Sequence, residues 1–124
     1  MYGKQLLCVD DDPEAMQIRK LLLESNGYSV MTANSGEEAL TLLRQANRVD
    51  LVLMDYLMPG MNGDELAEHL RQRFPSLPIV AVSGVDELPD RLLKNVDANV
   101  PKGHDPERLL SAITEALSRL EPEE

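Results

Sequence analysis

The sequence predicts an α/β fold, a parallel β-sheet covered by helices on both faces. Short apolar runs recur along the 124 residues, each too brief to be a helix. Segments with helical period lie between them. The runs are apolar at consecutive positions, as in strands buried on both sides. The expected order is βαβαβαβαβ followed by a final helix.

"QLLCV" from Gln5 is the first strand. Asp12 before Pro13 then marks a helix start. The Asp side chain can accept from a free backbone N–H, and proline at the first helical position gives up an N–H that had no partner there. Ile18, Leu21 and Leu22 supply this helix with its expected apolar stripe. "YSVMTA" from Tyr28 is the second strand, and Ser35 with Glu38 has capping-box spacing before a helix carried by Ala39, Leu40, Leu42 and Leu43. "LVLM" from Leu51 is the third strand, and it runs into Asp55. Asn62 with Glu65 suggests a capping box or near variant ahead of a third helix striped by Leu66, Ala67 and Leu70. "IVAV" from Ile79 is the fourth strand. Between Glu87 and Asn95 the helical pattern is poor, because Pro89 interrupts it and only Leu88, Leu92, Leu93 and Val96 could form an apolar face. The fourth helix is expected to be short or irregular. "ANV" from Ala98 is a weaker fifth strand. Asp105 before Pro106 then starts the last helix, with Leu109, Leu110, Ile113, Leu117 and Leu120 on one face.

A single domain is expected over residues 1–124, with a folded core from 4 to 120 and a fraying tail at 121–124. With 43% hydrophobic but only 3% aromatic residues, the core must be aliphatic. The formal charge of −10 opposes binding to nucleic acid and insertion at an anionic membrane surface. The one cysteine, Cys8, excludes an internal disulfide and reads as a small buried apolar residue. Met1 to Lys4 lead straight into the first strand without a signal peptide, and no apolar run approaches the roughly 18 residues of a membrane span, so a cytoplasmic location is expected.

In an open parallel sheet, ligands bind beyond the carboxyl ends of the strands, near the point where strand order reverses. The residues standing there are Asp10, Asp11 and Asp12, then Asp55, then Ser83 with Gly84, and finally Lys102. Each alone has an ordinary reading. Asp12 is a helix cap, Asp10 and Asp11 are turn acids, Ser83–Gly84 is turn chemistry, and Lys102 is a solvated charge. Together they differ, since separate strand ends each supply one part of a phosphoryl-transfer site. Clustered carboxylates repel one another unless a cation shares them. Oxygen ligands without nearby His or Cys favour Mg²⁺, or Mn²⁺, over zinc. A carboxylate, a lysine and a hydroxyl then offer a nucleophile and donors for phosphoryl oxygens.

"LLCVDDDP", "LVLMDYLMPGMNG", "IVAVSG" and "VPKG" stand at the four motif positions of the response-regulator receiver domain of two-component signalling, which the sequence resembles over nearly its whole length. The resemblance implies a flavodoxin-like (βα)5 fold with strand order 2-1-3-4-5. It implies that Asp55 is the phosphoacceptor, with Asp11 a direct Mg²⁺ ligand, Asp10 acting mainly through water, and the Leu57 backbone carbonyl as a further ligand. It makes Ser83 the switch hydroxyl and Lys102 the partner of the phosphoryl group. It also implies a histidine kinase or phosphotransfer protein as donor and a downstream protein as reader, with no direct nucleic-acid binding and no catalysis beyond the domain's own phosphorylation and dephosphorylation.

The chain departs from the family pattern in several places. Asn99 stands three residues before the lysine, where the family usually carries an aromatic switch residue. Gly103 follows Lys102, and the proline is Pro101, so a cis bond after the lysine is not expected. The stretch from Ser83 to Lys102 is shorter than the family norm by roughly a helical turn. That argues against the common dimer face of fourth helix, fifth strand and fifth helix, and leaves oligomeric state open. Leu57 and Val85 are apolar where the family varies side chains that control water, which suggests slow hydrolysis of a phosphoaspartate. His69 and His104 read as ordinary surface histidines, and Met54, Met58 and Met61 as packing, with Met16 a weaker candidate for touching a phosphodonor. A phosphorylation-independent interaction module on the same fold is the alternative function. An aspartate-nucleophile phosphatase would want a second acid at Leu57, and a flavin carrier would not tolerate "DDDP" in its phosphate loop.

Overall fold

The computed structural model describes residues 3–46, 48–103 and 105–119. The elements run in chain order as β1 (Gln5–Val9), α1 (Pro13–Ser25), β2 (Ser29–Ala33), α2 (Gly36–Gln45), β3 (Leu51–Asp55), α3 (Gly63–Arg73), β4 (Ile79–Ser83), α4 (Asp90–Leu93), β5 (Ala98–Pro101) and α5 (Pro106–Ser118). All strand pairs are parallel, in the order β2-β1-β3-β4-β5. The anticipated alternation, strand order and short fourth helix are all present. His104, Leu120 and the tail at 121–124 lie outside the described residues.

The strands carry apolar side chains on both faces because the sheet has two cores. Leu7, Val9, Val52, Met54, Ile79 and Ala81 point to the side covered by α2, α3 and α4. Their neighbours Leu6, Cys8, Leu51, Leu53, Val80 and Val82 point to the side covered by α1 and α5. Alternation with a period of two therefore sends the apolar residues of the central strands into one core or the other. Burial holds the Cys8 thiol neutral, with its pKa pushed up to about 12.

Three helix starts have the expected side-chain caps. Asp12 accepts from the Glu14 N–H, Ser35 from the Glu38 N–H, and Asp105 from the Glu107 N–H, each at 3.0 Å. Glu38 accepts the Asn34 N–H, one residue beyond the Ser35 N–H that would close a capping box. Asn62 is the N-cap residue of α3 by position but makes no side-chain cap bond. The box anticipated with Glu65 is absent because the Asn62 side chain turns back to accept the Met58 N–H at 3.0 Å.

The expected stripe of α1 also needs correction. Ile18 is 68% and Leu21 59% exposed, whereas Leu23 is fully buried. The helix is rotated so that Met16, Arg19 and Leu23, at spacings of three and four, turn inward. A charged residue on that face hid the true phase of the helix.

The four-residue α4 is held by polar contacts as well as by buried Leu92. Arg91 pairs with Asp64 of α3 at 2.9 Å. Arg71, near the end of α3, donates to the carbonyls of Pro75, Leu77 and Asn95 and to Asp97 Oδ2. Asp97 Oδ2 also accepts the Ile79 N–H at 2.7 Å. One guanidinium thus ties α3 to the segments entering β4 and β5.

Candidate functional site

Register places the acids. Strand order reverses around β1, which lies between β2 and β3. Val9 of β1 is level with Met54 of β3. The next residue of each chain segment, Asp10 and Asp55, therefore emerges at the carboxyl edge of the sheet. Across β3, Asp55 is level with Val82, so Ser83 follows one step on. Ser83 is in turn level with Pro101, and the next residue is Lys102, whose N–H donates to the Ser83 carbonyl at 2.8 Å.

Asp10, Asp11 and Asp55 each offer a carboxylate oxygen, all within 4.8 Å of one another. Asp10 and Asp55 are buried and Asp11 is exposed, so the cluster has a closed floor and an open side. This is a donor set of oxygens only, which suits a hard divalent cation. Lys102 Nζ lies 3.1 Å from Asp55 Oδ2, so the lysine is not the solvated surface charge of its plainest reading. Burial raises the Asp55 carboxyl above its ordinary pKa, and the Lys102 hydrogen bond offsets part of that rise.

The loop after β3 explains the glycines of "MPGMNG". Gly60 has a φ of +79°, a region that side chains beyond glycine rarely enter. A Cβ on Gly63 would come within 2.8 Å of the Asp55 carbonyl oxygen and 2.9 Å of the Tyr56 Cα. The Gly63 N–H donates to the Tyr56 carbonyl at 2.7 Å. With the Asn62 bond to Met58, these contacts fold the loop tightly beneath the carboxylate and leave Leu57 exposed. Met58 and Met61 are buried as packing, as anticipated.

Ser83 is buried, but its Oγ is occupied locally. It accepts from the Val85 N–H at 3.1 Å and donates to the Val85 carbonyl at 3.2 Å. Asn99, on β5 level with Ala81, is exposed and stands apart from the acid cluster. His69 is half-buried, with Nε2 3.8 Å from a Glu65 oxygen.

The sequence reading missed Arg19. Its Nη1 lies 3.2 Å from Asp10 Oδ2, and its side chain is only 10% exposed. The other Asp10 oxygen, Oδ1, accepts the Asp12 N–H at 3.0 Å. Arg19 also lines a groove of about 570 Å³ between α1 and α5, together with Ile18, Leu22, Val100, Lys102 and Leu109. This groove lies beside the acid cluster. Asp10 and Asp11 border a smaller hollow of about 300 Å³ near Met16, Thr32 and Glu38. Among the described residues, no helix is long and apolar enough to cross a membrane.

Comparison with known proteins points the same way. Residues 6–114 match the family model of the response regulator receiver domain. The chain is 36% identical over 120 residues to the transcriptional regulatory protein GlrR of Escherichia coli, covering 94% of this chain and 27% of that protein. It is 35% identical over 123 residues to the response regulator MprA of a Mycobacterium species, covering 97% and 53%. The chain therefore spans between about a quarter and a half of these curated relatives. Among solved structures it is similar to the Thermotoga maritima response regulator TrrA in complex with Mg²⁺–BeF. The TM-score there is 0.86 and the identity 31%, covering 91% of this chain and 98% of that one. A receiver domain from Clostridium thermocellum superposes with a TM-score of 0.87 at 27% identity, covering 94% and 95%.

Proposed function

We propose, from the premise that this chain belongs to the response-regulator receiver-domain family, that Asp55 accepts a phosphoryl group from a phosphohistidine on a histidine kinase or phosphotransfer protein. One observation carries the reading. The Asp55 carboxylate is buried at the end of β3, bonded to Lys102 at 3.1 Å and clustered with Asp10 and Asp11.

An Asp55 carboxylate oxygen attacks phosphorus, an acyl phosphate bond forms, the donor's P–N bond breaks, and the released imidazole takes up a proton. Lys102 Nζ is placed to bond an oxygen of the incoming group, replacing part of its contact with Asp55. Ser83 must exchange its Val85 contacts to donate to the same group. Asp10, Asp11, Asp55 and the Leu57 carbonyl would hold Mg²⁺, or Mn²⁺, which supplies charge neutralisation for the phosphoryl oxygens when bound. The exposed Leu57 and Val85 have no side-chain group able to direct water at phosphorus, so the acyl phosphate persists. The changed surface then alters binding to a downstream protein. The reaction is the domain's own modification and not turnover of a metabolite.

The test is intact-protein mass after incubation with Mg²⁺ and acetyl phosphate or phosphoramidate, beside Asp55→Asn. The expected result is one added phosphoryl group on the wild type alone, lost more slowly than from a Leu57→Asn, Val85→Glu variant. Failure of both small donors and of a phosphorylated histidine donor to modify the wild type would refute the reading and favour a phosphorylation-independent module.

A further inference from the structure

Building on this receiver reading, we propose that Arg19 is a positioning residue, a fixed counter-cation that holds Asp10 as a supporting acid and lowers the affinity of the acid cluster for a divalent ion. Arginine is seldom buried without a reason, because desolvating a guanidinium is costly unless it is paired. Here the side chains of Arg19 and Asp10 are 10% and 0% exposed, and they meet at 3.2 Å. Arg19 reaches this place from the inward face of α1, beside Ala15 and Leu22 and across from Val82 and Val100. Asp12, Lys102 and Asp105 line the same groove, but with so little of its side chain exposed Arg19 is screened by water less than a surface charge would be.

Both oxygens of Asp10 are engaged from within the protein, Oδ2 by Arg19 and Oδ1 by the Asp12 N–H. That arrangement fixes the carboxylate and competes with direct ligation of a cation by Asp10, leaving Asp11 and Asp55 as the freer donors. Charge completes the argument. Asp10, Asp11 and Asp55 bring three negative charges, and Lys102 neutralises one of them. Arg19 neutralises a second. A divalent ion thus meets a cluster of net charge near −1 instead of −2. The same guanidinium keeps the acids from repelling one another before an ion arrives.

The experiment is calorimetric titration of the whole chain with MgCl₂, for the wild type, Arg19→Lys, Arg19→Gln and Arg19→Met. Thermal melts with and without Mg²⁺ accompany it. Arg19→Gln and Arg19→Met should bind Mg²⁺ about tenfold tighter than the wild type, whereas Arg19→Lys should stay within about threefold. Melting temperatures of the two neutral variants should rise more on adding Mg²⁺ than that of the wild type. Arg19→Gln retains a donor for Asp10, so it reports the charge effect even where Arg19→Met folds poorly. Wild-type binding with no tightening in a folded Arg19→Gln would overturn this inference and leave the receiver reading intact. Absence of Mg²⁺ binding in every variant, the wild type included, would overturn both.

Discussion

Gly63→Ala is the substitution whose effect the structure defines most closely. The added Cβ would lie 2.8 Å from the Asp55 carbonyl oxygen and 2.9 Å from the Tyr56 Cα, where ordinary contact begins near 3.4 Å. Both obstacles are backbone, so no side chain can swing aside. About 0.6 Å must be found by moving α3 away from the end of β3, which also stretches the Gly63 N–H bond to Tyr56. Overpacking of this kind costs about 1–3 kcal/mol. The gain in helix propensity returns up to about 1 kcal/mol, so a net loss of about 1–2 kcal/mol is expected. For a chain of this length that lowers the melting temperature by about 4–8 °C. Since a 1 Å misplacement can cost about a hundredfold in rate, a shift of this size carried to Asp55 should slow phosphorylation by small donors about tenfold. Gly84→Ala is the stability control, because its Cβ would meet only Lys102 side-chain carbons at 3.8 and 3.9 Å. It should stay within about 0.5 kcal/mol of the wild type. Equal melting of Gly63→Ala and wild type, or equal losses in both variants, would refute the close-approach argument.

Two further predictions concern stability. Arg71→Ala removes a donor shared by three carbonyls and Asp97, and should cost about 3 kcal/mol in urea unfolding. Arg71→Lys should recover less than half of that loss, since a single ammonium cannot match the fork, and full recovery would show that charge alone matters. Cys8 makes stability pH-dependent in a known direction. The unfolded thiol releases its proton above about pH 9, while the folded thiol holds it to about 12. The unfolded state then binds fewer protons, so wild-type stability should fall relative to Cys8→Ala by about 1.4 kcal/mol per pH unit above pH 9, with no relative change below it. Parallel pH profiles of the two proteins would contradict the buried neutral thiol.

The strands were legible because each apolar run serves two cores, whereas their order in the sheet followed only from the resemblance of the four motifs to the receiver-domain family. Asp55 and Lys102 were legible for a related reason, since a charged residue directly after a buried strand must emerge at the sheet edge. The features that were not legible share a physical cause. Arg19 gave no signal because charge normally marks the wet side of a helix, and only its pairing with Asp10 reverses that rule. The inward phase of α1 was lost with it. Asn62 matched a capping signal, but its side chain had a competing acceptor role toward Met58 that spacing within the helix does not reveal. Arg71 bonds to carbonyls, whose positions no residue type encodes. In each case the partner of a polar side chain lay outside the pattern that the spacing of residue types records.

The pairing of Val9 with Met54 bears on how this protein can vary. Asp10 and Asp55 meet because two strands keep step, and no side-chain contact between them sets their separation. Lengthening the connections between α1 and β2 or between α2 and β3 would leave the pair in place. Inserting one residue within β1 or β3 would instead rotate an acid into an aliphatic core and bring an aliphatic residue to the rim. Inherited change in such a chain should therefore gather in its connections, while strand length stays fixed, and a laboratory library that respects the same boundary would keep most of its members functional.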